Sequence, residues 1–159
     1  MNIKTFTLIH VVISLVGITS GLVVMYGLLT RRRLNGWTGL FLITTAATSV
    51  TGFGFPITHF GAPHIVGIIS LVILAAAIFA RYSCKLAGAW RWVYVITAAL
   101  ALYLNVFVGI AQAFQKIPTL NALAPTQTEL LFAIAQLVVL VLFIVLTVVA
   151  VRTFRVIPV

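Results

Sequence analysis

The sequence has only one acidic side chain, Glu129, and contains no aspartate. Enzymes that use two carboxylates, for acid–base chemistry or to hold catalytic metal ions, are therefore excluded. The chain also has no G-x-S-x-G nucleophile elbow and no glycine-rich phosphate loop. An enzyme built on this chain would have to use histidine, tyrosine, Glu129 and a cofactor or lipid substrate, so we expect a binding role rather than a catalytic one.

Cysteine and charge are also scarce. The single cysteine, Cys84, excludes an intramolecular disulfide. Only 7% of the residues are charged, whereas 63% are hydrophobic and the mean hydropathy is +1.26. A water-exposed domain of this size could not carry so much apolar surface, so the composition indicates a membrane protein surrounded by lipid.

A transmembrane helix needs about 20 mainly apolar residues. Five runs of about that length predict an all-α, polytopic helical bundle that forms one domain over residues 1–159, with short connections. The predicted helices cover residues 6–29, 36–55, 63–81, 91–114 and 129–151.

The basic residues predict the orientation of this bundle. The net charge is +9, but the cations stand at the helix ends and not on one folded face, which argues against nucleic-acid binding. Eight of the ten fall on one side, which the positive-inside rule makes cytoplasmic; these are Arg31, Arg32, Arg33, Arg81, Lys85, Arg91, Arg152 and Arg155. The N-terminus is then outside and the C-terminus cytoplasmic.

A cleaved signal peptide is the alternative for the first apolar run, because Lys4 precedes it. The run from Phe6 to Leu29 is longer than a signal-peptide core and lacks a small-residue cleavage site before the arginines. We therefore assign it as the first membrane helix.

Polar residues follow defined faces of the predicted helices. In the first helix, His10, Ser14, Gly17 and Gly21 recur at helical spacing, and the two glycines form a G-x-x-x-G packing motif. The fourth helix has a stripe of small and polar residues, namely Tyr94, Ala98, Ala101, Asn105 and Gln112. Buried amides need partners, so we expect this stripe to face the bundle. The hydroxyls of the second helix are expected to bond to carbonyls one turn earlier.

All three histidines are predicted on the outer side, together with Glu129 and the polar ends of the fourth and fifth helices. Imidazole is the commonest metal ligand, and two histidines at matched depth suit axial haem ligation. The sequence thus predicts an outward-facing polar pocket for haem b or a transition metal, serving redox chemistry or sensing. The candidate cofactor ligands are His10, His64 and Gln112, the candidate metal ligands are His10, His59, His64 and Glu129, and the pocket lining is Ser14, Asn105 and Gln136.

Other interpretations remain open. The histidines can simply lie at the membrane interface and cap helix ends, and an acid such as Glu129 is favoured in the first turn of a helix by the helix dipole. One functional alternative is a small transporter or channel whose path is lined by His10, Asn105, Gln112, Gln136 and Glu129. Another is a non-catalytic accessory subunit that packs into a larger membrane complex or a homo-oligomer through its glycine and alanine seams.

Three segments carry a resemblance to known proteins. TGFGFPITHFGAPHIVGIISL, GAWRWVYVITAALALYLNVFVGIAQAF and NALAPTQTE resemble uncharacterised small multi-spanning membrane proteins of Gram-negative bacteria. The resemblance covers most of the chain and implies an inner-membrane location. It carries over no activity and no site residue.

Overall fold

The protein is all-helical in its computed structural model, which describes residues 2–55 and 61–154. Helix accounts for 84% of the structure, and the described residues form no strand. The elements are α1 (Ile3–Leu29), α2 (Asn35–Gly52), α3 (Ala62–Ile78), a π-helical turn (Phe79–Ser83), α4 (Trp90–Lys116), the short α5 (Pro118–Leu123) and α6 (Leu130–Thr153). The all-α prediction is confirmed.

Four helices of the described chain are long and apolar enough to cross a membrane: Ile3–Leu29, His64–Ser83, Trp90–Lys116 and Leu130–Thr153. Most residues of these apolar stretches are not buried within the protein, and in α6 only 17% of the stretch is buried. A helix that is apolar all round suits a lipid environment. Helix α2 carries many hydroxyls and is not among the four.

The two ends of the bundle differ in chemistry. At one end, Arg81 bonds Asn35 at the start of α2, and Tyr94 contacts Phe154 just after α6. We call this the arginine end. At the other, the histidine end, His10 of α1 meets Thr51 near the end of α2. Helix α2 therefore runs from one end of the bundle to the other.

The tightest packing lies where α1, α2 and α4 meet. Helix α1 makes its most extensive contact with α2 and also contacts α4 and α6. Gly21 is buried there, with Phe41 of α2 and Leu102 of α4 against its backbone. Both neighbouring side chains are 1% exposed. The absence of a side chain at Gly21 is thus what lets the three helices approach so closely.

Two connections differ from the sequence prediction. The third predicted helix, residues 63–81, is α-helical only to Ile78 and then widens into the π-helical turn. In this turn the Cys84 N–H donates to the Phe79 carbonyl, five residues back, at 3.0 Å. The connection predicted between residues 115 and 128 contains α5, which begins at Pro118. Proline suits this first helical position because its missing N–H needs no partner there.

Candidate functional site

His10 lies half-buried on α1, at the histidine end. Its Nδ1 is 2.8 Å from Thr51 Oγ1, and the Thr51 hydroxyl donates its one proton to the Ala47 carbonyl at 2.7 Å. When the Thr51 hydroxyl donates to Ala47 in this way, it accepts from His10 Nδ1–H and the neutral ring has its lone pair on Nε2; in the other tautomer, Thr51 donates to Nδ1 instead. The Phe55 ring meets the imidazole edge-on, with centroids 5.1 Å apart.

His64 lies at the start of α3. Its Nδ1 accepts a hydrogen bond from the Gly61 backbone N–H at 3.3 Å, which satisfies a donor at the start of the helix. The ring also lies against Phe53, with centroids 5.9 Å apart. His59, the third predicted ligand, lies outside the described residues.

Glu129 precedes α6 and organises the turn before it. Its Oε1 accepts from the Thr126 N–H at 3.1 Å and from the Thr126 hydroxyl at 2.8 Å, and its Oε2 accepts from the Thr128 N–H at 3.0 Å. Desolvation alone raises the pKa of the Glu129 carboxyl, but these hydrogen bonds together outweigh it and hold the pKa below its ordinary value. The carboxylate thus already has three donors of its own.

Two of the three predicted pocket-lining residues, Asn105 and Gln136, bond across helix pairs. Asn105 Nδ2 on α4 donates to Thr45 Oγ1 on α2 at 3.0 Å, where the missing side chain of Gly17 leaves room for both. Ser14 instead donates to the His10 carbonyl on its own helix at 2.7 Å. Three hydroxyls of α2, those of Thr44, Ser49 and Thr51, donate to the carbonyl one turn earlier as expected, whereas the buried Thr48 hydroxyl finds no partner within the described chain.

The two candidate glutamines behave differently. Gln136 of α6 is 8% exposed, and its Nε2 donates to the Phe107 carbonyl of α4 at 3.1 Å. Its Oε1 is buried and finds no hydrogen-bond partner within the described chain. Gln112, on the final turns of α4, is exposed.

These side chains lie near the histidine end, where His10, Asn105 and Glu129 each bond a partner close by. Within residues 2–55 and 61–154, no three His, Cys, Asp or Glu side chains come together in a way that could hold a metal ion. The described donors thus form separate inter-helix and helix-capping bonds. A metal or haem site that includes His59 stays a prediction.

A different feature lies at the arginine end. An open cleft of about 540 Å³ lies between the α1–α2 connection and the α3–α4 connection. Six residues line it: Arg33, Asn35, Arg81, Tyr82, Lys85 and Leu86. We call it the basic cleft, because three of its side chains are cations and none is an acid.

Arg81 is the most constrained cation of the basic cleft. Its Nη2 donates to Asn35 Oδ1 at 2.6 Å, which joins the two connections. Its guanidinium carbon lies 5.1 Å from the ring centroid of the buried Tyr94 and 5.8 Å from that of Tyr82. These cation–π contacts orient the guanidinium, whereas Arg33 and Lys85 are exposed.

The backbone around the basic cleft adopts unusual conformations. Arg31, Lys85 and Leu86 have φ values of 60°, 50° and 60°. This left-handed region disfavours residues with a side chain, although it is also a common way for a helix to end, and Gln127 at the histidine end adopts it too, with a φ of 60°. The π-helical turn that carries Arg81 is another such irregularity. Arg81 and Lys85 of the basic cleft thus lie on irregular backbone.

Sequence reasoning interpreted Arg33, Arg81 and Lys85 only as markers of membrane orientation. Their separation along the chain hid their proximity, because Arg33 and Arg81 belong to different connections. The available signal was the absence of acidic residues from both connections, which leaves the cations without side-chain counterions.

The comparisons with known proteins add no relationship. No family model, no curated protein and no solved structure matches this chain.

Proposed function

We propose that the protein is an integral membrane protein that binds a phosphate-class anion in the basic cleft. The observation that carries this proposal is the convergence of Arg33, Arg81 and Lys85 on one cleft of about 540 Å³. The only acidic side chain of the whole chain, Glu129, lies at the histidine end and is bonded to Thr126 and Thr128. The three cations therefore have no carboxylate side chain to neutralise them.

The chemistry of the basic cleft suits a tetrahedral oxyanion. A guanidinium presents paired N–H donors that match two phosphate oxygens, and an ammonium adds a mobile point charge. Arg81 is held in place by Asn35 and Tyr94, so little conformational entropy is lost when it binds. The recognition would rest on side chains, since the chain has no glycine-rich phosphate loop.

Placement in a membrane is part of the proposal. The course of α2 from Arg81 at one end to His10 at the other supports counting it as a fifth span. With five spans, the positive-inside rule puts the arginine end in the cytoplasm and the N-terminus outside. The resemblance to Gram-negative proteins favours the inner membrane.

A thermal unfolding experiment in neutral detergent tests anion binding. Glycerol 3-phosphate should raise the Tm saturably relative to sodium chloride at matched ionic strength, because a ligand at ten times its Kd stabilises the folded state by about 1.4 kcal/mol. The double variant Arg33→Gln/Lys85→Gln should lose this rise, and both side chains are exposed, so the fold should survive.

Arg152→Gln is the matched control, because Arg152 is an exposed cation of the same end that does not line the basic cleft. This variant should respond as the wild type does. The proposal fails if the wild type shows no saturable rise, or if the double variant shows the same rise as the wild type.

Binding of haem b at the histidine end is a second candidate function, favoured by the contact of His10 Nδ1 with the Thr51 hydroxyl. In the tautomer with hydrogen on Nδ1, the Thr51 hydroxyl accepts that hydrogen and Nε2 carries the lone pair, which is how a supporting group commonly orients a ligating imidazole. An optical spectrum of the protein purified from haem-replete cells tests it. A Soret band that is lost in His10→Ala is expected, and no Soret band in the wild type contradicts it.

A further inference from the structure

Within residues 2–55 and 61–154, exposed aromatic side chains are found at the arginine end. Among the described residues, every strongly exposed large aromatic lies there. They are Tyr26, Trp37, Phe79, Tyr82, Trp90 and Trp92. The aromatic rings of the histidine end pack against one another, as Phe114 does edge-on against Phe132 with centroids 5.4 Å apart.

A ring of Trp and Tyr side chains marks the headgroup level of a bilayer, where an amphipathic ring meets both lipid and water. Tyr82 belongs both to this ring and to the lining of the basic cleft. Trp90 packs edge-on against Phe79, with centroids 5.4 Å apart, two residues before Arg81. The basic cleft therefore opens at the depth of lipid phosphates.

We infer that the anion bound in the basic cleft is the phosphate headgroup of an anionic membrane lipid. This inference rests on the proposed function and specifies its ligand class. The lipid phosphate would bond Arg81, with Arg33 and Lys85 closing over it from the two connections. Its acyl chains would lie against exposed apolar side chains such as Ile78 and Phe79, which are 40% and 51% exposed and lie three and two residues before Arg81.

In this arrangement a lipid should bind more tightly than a soluble phosphate, because its acyl chains also contact the protein. Each buried methylene strengthens binding about fourfold, so two of them are enough for about tenfold. Three soluble ligands, added to the protein in neutral detergent, separate the contribution of the headgroup to binding from that of the acyl chains. Glycerol 3-phosphate carries the headgroup alone, dihexanoyl phosphatidic acid carries headgroup and tails, and dihexanoyl phosphatidylcholine carries the same tails on a zwitterionic headgroup.

Dihexanoyl phosphatidic acid should bind at least about tenfold more tightly than glycerol 3-phosphate, and dihexanoyl phosphatidylcholine should not compete with it. Arg33→Gln and Lys85→Gln each remove one charge, and each should weaken the binding of phosphatidic acid about fivefold. Trp90→Ala should weaken the binding of phosphatidic acid but not that of glycerol 3-phosphate. Leu130→Ala, which removes an exposed apolar side chain at the histidine end, should change neither.

The outcomes separate the two levels of the proposal. Equal affinity for glycerol 3-phosphate and phosphatidic acid, both weakened by the charge variants, would overturn the lipid inference and leave a soluble phosphate as the ligand. Equal competition by phosphatidylcholine would also overturn it. Binding of neither anion, or binding that the charge variants do not alter, would overturn the proposed function itself.

Discussion

Replacement of Gly21 by alanine tests the packing of α1, α2 and α4. A β-carbon at Gly21 would lie 2.5 Å from Leu102 Cδ1 and 2.9 Å from two ring carbons of Phe41. Both neighbours are 1% exposed and cannot move aside without disturbing the core. Overpacking of this kind costs about 1–3 kcal/mol, while alanine in a helix gains about 1 kcal/mol over glycine.

Gly39 provides the matched control, because it also lies within a helix but a β-carbon there meets nothing within 4 Å. Gly39→Ala should therefore gain up to about 1 kcal/mol. The helix-propensity gain is common to both variants, so the difference in their free energies of unfolding isolates the overpacking cost. We expect Gly21→Ala to be less stable than Gly39→Ala by about 1–3 kcal/mol.

Reversible unfolding in mixed micelles with increasing sodium dodecyl sulfate measures this difference. Both variants should keep the helical circular dichroism of the wild type before the transition. If Gly21→Ala proves as stable as Gly39→Ala, the close approach of the three helices at Gly21 is refuted.

Three further predictions concern single side chains. Asn105→Ala should lower the free energy of unfolding by about 0.6–1.7 kcal/mol, as measured for inter-helix hydrogen bonds in membranes. The double variant with Thr45→Val should lower it little further in the same assay, because the two side chains share one hydrogen bond. The turn before α6 should loosen as the pH falls below the ordinary pKa of a glutamate and through the lowered pKa of Glu129, because protonation removes the acceptor of its hydrogen bonds. Hydrogen exchange of residues 125–130 should show this in the wild type and not in Glu129→Gln, and equal pH profiles would contradict it. Cys84, next to the π-helical turn, should react with a membrane-impermeant maleimide only after spheroplasts are permeabilised, because the proposed orientation places it in the cytoplasm. Labelling of Cys84 in intact spheroplasts would contradict that orientation.

The all-helical fold could be predicted because hydropathy alone reports apolar helices. The same signal does not describe how helices end. The π-helical turn at Phe79–Ser83 and the left-handed Lys85 depend on tertiary contacts such as Arg81 to Asn35. A helical pattern also misses α5, since six residues are too few to show a period.

The candidate site was harder to predict for a related reason. Spacing placed His10 and Asn105 on particular helix faces, but hydrogen-bond partners such as Thr51 and Thr45 lie on another helix. The basic cleft was missed because Arg33 and Arg81 are brought together only by the packing of two connections. The positive-inside rule already explained why these residues are basic, so their charge alone did not point to a second role.

The proposal that the basic cleft holds a lipid phosphate is tested most directly by locating such a lipid on the protein. A photoactivatable phosphatidic acid analogue would be cross-linked to the wild type in bilayer nanodiscs, and the modified residues mapped by mass spectrometry. We expect cross-links concentrated in residues 31–37 and 79–90, lost in Arg33→Gln/Lys85→Gln and kept in Arg152→Gln. Cross-links spread evenly along the exposed faces of α6, and unchanged in the double variant, would contradict the proposal.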